Sequence, residues 1–248
     1  MRNSLFIVGC FLLLICTAYA ASVEVGISEV MEGKLISLSH DNATNIVKFS
    51  AEFYNTGSVP YKTRMKTEII KGDETVFNGW SDEKDFMPGD KRMFETYWHA
   101  TTSGAYSVKL KAYFGNEIKE YKKVDFVVGS VADSEDVFAI ENFRTYDDYV
   151  LFDVVSNEDV ENVIIMPSGY TAGWIFEQKT IDNLTKNSSK YVMIKYKPTL
   201  WSRSAVKMSI VSDDGKYYTE ESLEMKKLEG LTGLYFYITD SIKYALFK

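Results

Sequence analysis

Strict alternation of apolar and polar residues constrains this chain more than any other feature. In IVKFSAEFY, Val47, Phe49, Ala51 and Phe53 share one face, while Lys48, Ser50 and Glu52 lie on the other. In YKTRMKTEII, Tyr61, Thr63, Met65, Thr67 and Ile69 oppose Lys62, Arg64, Lys66 and Glu68. SVKLKAYF repeats the pattern with Val108, Leu110, Ala112 and Phe114 inward. A period of two puts successive side chains on opposite faces of an extended chain, so these stretches predict half-buried strands. Turn chemistry separates them at Asn55-Thr56-Gly57, Lys71-Gly72-Asp73, Pro88-Gly89-Asp90, Ser103-Gly104 and Gly115-Asn116. With VEVGISEV in front and IKEYKKVDFVV behind, about seven strands are expected across residues 23–128, the pattern of an antiparallel sandwich.

GSVADSED, residues 129–136, is small, polar and acidic, and reads as a linker. A second series follows in FAIENF, YVLFDVVS, ENVIIM, GWIFEQK, KYVMIKYKP, SAVKMSIVS and KYYTEESLEM. Asp213-Asp214-Gly215 supplies a hairpin turn between the last two. GWSDEKDF reads as a surface loop, and SLSHDNATN as a polar loop carrying His40.

The N-terminus has one charge, Arg2, before an apolar run over residues 5–16, then small residues at Ala18 and Ala20. This is the layout of a secretory signal peptide spanning residues 1–20. An extracellular or cell-surface location is therefore expected after cleavage. Both cysteines, Cys10 and Cys16, lie inside that segment. Their position excludes a disulfide scaffold, thiolate-bound zinc and cysteine catalysis in the processed chain. Of the 28 basic residues only Arg2 is removed, leaving 27 against 35 acidic ones, a charge of −8. With no basic patch, nucleic acid is not an expected partner.

A family resemblance rests on particular residues. The order AEFYNTGSVP, YKTRMKTEII, FMPGDKRMFETYW and SGAYSVKLKAYF resembles CARDB-like (cell-adhesion-related) and other immunoglobulin-like domains of prokaryotic, above all archaeal, surface proteins. The matching features are Asn55 and Gly57, Pro88 and Gly89, Trp98, and Gly104, Tyr106 and Val108. The resemblance covers residues 23–128 and implies an envelope or adhesive role without catalytic residues. The expected fold is all-β: two tandem immunoglobulin-like antiparallel β-sandwiches with a short C-terminal amphipathic helix. Their bounds are 21–128 and 137–228, with the linker at 129–136 and the tail at 229–248.

Chemistry-bearing motifs are sparse. His40 and His99 are the only imidazoles, and no G-x-S-x-G, H-E-x-x-H or phosphate-cradling glycine loop occurs. The chain is accordingly expected not to be an enzyme and to need no cofactor. Asp133, Glu135 and Asp136 are candidate calcium ligands at the linker, although D-x-D-x-D-G spacing is absent. Trp80 and Trp201 adjoin polar residues and are candidate surface aromatics for stacking on a sugar, whereas Trp174 belongs in a core. Sequons place candidate glycosylation at Asn42, Asn183 and Asn187.

The tail contains LTGLYFYITDSIKYALFK, too interrupted to span a bilayer, which takes about 20 mostly apolar residues. At helical spacing, Leu231, Leu234, Tyr235, Ile238, Ile242 and Leu246 form an apolar stripe, with Asp240 off it. The stripe predicts contact with a membrane surface, a partner or the chain's own second sandwich. Expected partners are other envelope proteins or surface glycans. Three functional readings compete: a surface binding or spacer module, a carbohydrate-binding module, and a filament subunit adding VEVGISEV to a neighbour's sheet.

Overall fold

A computed structural model describes residues 31–41, 45–114, 117–198, 204–226 and, in the tail, 235, 236, 238–240 and 242. The N-terminal segment, VEVGISEV, Asn42, Trp201, Leu231, Leu234 and Leu246 lie outside the described residues.

The first eight strands are β1 (Gly33–Asp41), β2 (Ile46–Asn55), β3 (Tyr61–Lys71), β4 (Glu74–Trp80), β5 (Lys84–Phe86), β6 (Lys91–His99), β7 (Gly104–Phe114) and β8 (Glu117–Val128). They pair as β1-β2-β6 and as β4-β3-β7-β8, with β5 also on β3. All these ladders are antiparallel. Val47, Phe49, Ala51 and Phe53 face inward on β2, and Met65 and Ile69 do so on β3, as the alternation requires. Thr67 and Thr96 meet across the two sheets, hydroxyl to hydroxyl at 2.7 Å, so this buried polar pair is satisfied internally.

The second eight are β9 (Phe138–Thr145), β10 (Tyr149–Ser156), β11 (Val160–Ser168), β12 (Ile175–Phe176), β13 (Lys179–Leu184), β14 (Ser188–Lys197), β15 (Ser204–Ser212) and β16 (Tyr218–Met225). Their sheets run β12-β14-β10-β9 and β13-β11-β15-β16. One apolar cluster, including Trp174, Phe152, Phe176, Val163, Ile165, Met208 and Ile210, fills the space between them. In both sandwiches the first strand pairs with the second, while the third pairs with the next-to-last, itself paired with the last. That Greek-key order is immunoglobulin-like.

The motif residues act as fold fasteners. Asn55 accepts the Gly57 N–H at 2.8 Å and donates to the Phe86 carbonyl at 2.9 Å, while its own carbonyl takes the Gly89 N–H at 3.0 Å. The N-x-G and P-G turns are thereby tied together. Tyr106 donates its hydroxyl to the Thr102 carbonyl at 2.8 Å, four residues upstream, in the manner of a tyrosine corner. Trp98 packs edge-on against Tyr106 at 4.8 Å.

Two expected loops turn out otherwise. His40 lies on β1, paired with Phe49 of β2, and not in a polar loop. A register shift between Leu35 and Ser37 breaks the alternation that would have betrayed this strand. GWSDEKDF is only partly a loop: Ser81 is buried, its hydroxyl taking the Met65 N–H at 2.9 Å, and β5 pairs back onto β3.

A seam joins the sandwiches. β11 is apolar on both faces: Val163 and Ile165 point into their own core, while Ile164 and Met166 join Ile46 and Val211 in a separate buried cluster. Tyr97 and Tyr218 flank that cluster. The Gln178 side chain behaves as a strand substitute, accepting the Tyr97 N–H and donating to the Tyr97 carbonyl, both at 2.7 Å. Gly79 permits that approach, since a Cβ there would stand 3.0 Å from the Gln178 amide nitrogen. Residues 129–136 are stitched to both sides. Asn45 exchanges two hydrogen bonds with the Ala132 backbone, and Glu135 exchanges two with the backbones of Lys216 and Tyr218.

Candidate functional site

The seam closes along one side and opens along another into a cleft of about 490 Å³. β4 contributes Thr75, Phe77 and Asn78; β6 contributes Trp98 and His99; β15 and β16 contribute Lys207, Ser209, Tyr218 and Glu220. Tyr170, on the loop after β11, completes an aromatic wall. This volume is in the range of small-ligand sites.

Glu220 organises the polar side. It pairs with Lys207 Nζ at 3.0 Å and accepts from the Tyr218 hydroxyl at 3.2 Å and Ser209 Oγ at 3.3 Å. Burial pushes its carboxyl up, but the hydrogen bonds from these groups, Lys207 foremost, hold it net below the usual range. The cleft therefore carries a carboxylate and an ammonium that cancel.

His99 stacks on Tyr218 with ring centroids 3.9 Å apart, and both ring nitrogens are enclosed without a hydrogen-bond partner among the described residues. Burial lowers its pKa below 6.5, and the Glu220 charge offsets this only in part. Its ring nitrogens carry no serine or carboxylate partner among the described residues. The sign of the linkage follows. Below about pH 6.5 the unfolded chain binds a proton that the folded chain resists, so His99 favours the fold above that pH and loses this contribution as pH falls. The melting temperature should decline between about pH 7.5 and pH 5, and decline less in His99→Phe. Equal pH slopes in the two proteins would remove His99 from the account.

Tyr170 Oη is enclosed without a partner of hydrogen-bond geometry. Burial raises its pKa, and the Trp80 indole counters this in part.

The residues expected from sequence are placed as follows. Trp80 is not a surface aromatic: it is 5% exposed, with its ring 4.8 Å from Tyr113 and its backbone bridged to Glu177. Packing of the second sandwich over the end of β4 buries it, which its polar sequence neighbours do not reveal. Trp174 is buried against Phe176 and Tyr196. Asp133, Glu135 and Asp136 are exposed, and Asp136 accepts from Thr219 Oγ1. Among the described residues no group of three or more acidic, histidine or cysteine side chains converges as a metal site, so the linker acids are not brought together. Asn183 is exposed on β13, and Asn187 is exposed in the following turn at φ 58°.

Of the described tail residues, Asp240 docks on the second sandwich, and three residues of the apolar stripe do not. Tyr235, Ile238 and Ile242 are helical and 63%, 50% and 57% exposed, whereas Asp240 is 3% exposed. Its carboxylate lies 3.1 Å from Arg144 Nε and accepts the Tyr146 hydroxyl, with Tyr191 also interacting. The Arg144 guanidinium covers the Phe236 ring at 4.9 Å. A half-buried arginine requires a counter-charge, and this requirement outweighs burial of the aliphatic stripe. Among the described residues no helix is long and apolar enough to cross a membrane.

Fold and seam define a two-sandwich, immunoglobulin-like protein. No family model and no curated protein matches the sequence. Solved structures similar to it include the D0-D1 domain of intimin (13% identity over 78% of this chain and 99% of that one, TM-score 0.24). Fibronectin(III)-like modules of Clostridium thermocellum CbhA show 12% identity over 78% of this chain and 97% of theirs, TM-score 0.23. Red sea bream transglutaminase shows 8% identity and a TM-score of 0.29, with 80% of this chain covering 32% of that one. At these TM-scores the superpositions carry no inference about this chain.

Proposed function

We propose that this chain is an exported, non-enzymatic module of the cell surface that binds or spaces other envelope components, in the manner of the CARDB-like domains of archaeal surface proteins. The observation that carries this reading is the seam. Two sandwiches joined by an apolar cluster, a side chain paired with backbone and a stitched linker form one stiff arm. A stiff arm presents a site at a fixed distance and orientation, whereas a flexible linker would spread it over many. The signal-peptide layout supports export. The outward Tyr235, Ile238 and Ile242 suit peripheral contact with a membrane or an envelope partner. Assembly by strand addition is less favoured at β8, an edge strand carrying Lys119 and Lys123, since edge lysines oppose pairing.

Cell fractionation tests the location. The processed chain should be recovered with the envelope and be cleaved by protease added to intact cells. Recovery of the unprocessed chain inside the cell, protected from protease, would rule the reading out.

A further inference from the structure

We infer that the cleft between the sandwiches is a binding site for a neutral saccharide ring, which deepens the surface-module reading and rests on it for the source of the sugar. Four features converge. The first is size: about 490 Å³ accommodates one or two pyranose rings but not a folded partner. The second is charge. The titratable groups facing the cleft are His99, Lys207, Glu220 and the tyrosines, and Lys207 and Glu220 neutralise one another at 3.0 Å. An anionic or cationic ligand would have to compete with that pair, whereas a neutral one uses both groups as they stand. The third is the wall of Phe77, Trp98, Tyr170 and Tyr218. A sugar presents an apolar C–H face to such rings and a rim of hydroxyls around it.

The fourth feature is an excess of polar groups over their partners. Both His99 nitrogens lack a hydrogen-bond partner among the described residues, and leaving such groups unpaired is costly. Asn78 at the mouth offers an amide that donates and accepts, the bidentate capability that vicinal hydroxyls match. Planar side chains with both functions, grouped around aromatic faces, suit a polyol better than a peptide.

The test is a titration of the ¹⁵N-labelled mature chain with the methyl glycosides of glucose, galactose, mannose and N-acetylglucosamine, and with inorganic phosphate for comparison. At least one glycoside should shift the amides of Asn78, His99, Lys207 and Tyr218, with phosphate leaving them unchanged. Asn78→Ala, at a half-buried site, and Lys207→Ala, at an exposed one, should each weaken that glycoside roughly tenfold, about the worth of one hydrogen bond in a desolvated site. The inference is overturned if no glycoside moves these amides, if the shifts survive both substitutions, or if phosphate binds there instead. Because the titration uses purified protein, its failure leaves the fractionation result standing, and an intracellular location leaves a positive titration standing.

Discussion

Ile164→Asp should uncouple the two sandwiches while leaving each folded. Ile164 is buried on the seam side of β11, among Ile46, Met166 and Val211, and has no cation beside it in that cluster. An unpaired carboxylate there costs about 3–5 kcal/mol, and separation of the surfaces is the least expensive way to hydrate it. The neighbouring Val163 and Ile165 face the other way and still fill the second core. Small-angle scattering should therefore show a larger radius of gyration and a broadened distance distribution, with circular dichroism unchanged. Ile164→Ala is the graded control, losing about 2–4 kcal/mol through the cavity alone without forcing water into the seam. If Ile164→Asp kept the wild-type scattering profile, the seam would not be what holds the arm stiff.

Asp240→Ala should release the tail. The carboxylate is the docking group, and its removal leaves Arg144 half-buried beside Tyr146 and Tyr191 without a counter-charge. Losing one partner of an enclosed ion pair costs about 3–5 kcal/mol, but most of that penalty is avoided if the tail lifts away and water reaches Arg144. The expected result is loss of hydrogen-exchange protection across the helical residues with a smaller fall in melting temperature. Deleting residues 231–248 should likewise leave both sandwiches folded, because neither sandwich's apolar clusters include a described tail residue. Asp240→Asn, which still accepts from Tyr146, should be intermediate. A tail that stayed protected in Asp240→Ala, or sandwiches that unfolded on truncation, would mean that the tail belongs to a core.

Legibility of the fold followed the regularity of its strands. β2, β3 and β7 bury one face at strict period two, and their inward residues were named from the pattern alone. β13 buries Ile181 and Leu184, three residues apart, so no period-two pattern marks it and it is absent from the expected strands. β1 hid behind its bulge. In the cleft the signal was weaker still. His99 stands out as one of two imidazoles, but Lys207, Ser209, Tyr218 and Glu220 look like ordinary outward residues of two strands. Nothing local distinguishes an outward face that meets solvent from one that meets another domain.

The order of residues along this chain is enough to establish most of the strands and the turns between them. Each of these depends on neighbours within a few positions, where backbone geometry translates directly into pattern. Packing alone decided that Trp80 is buried, that Gln178 completes the backbone of Tyr97, and that the tail docks through Asp240 while Tyr235, Ile238 and Ile242 face solvent. These outcomes pair residues some 80 to 100 positions apart. Their energies come from desolvation and counter-charge, which depend on what the fold brings alongside.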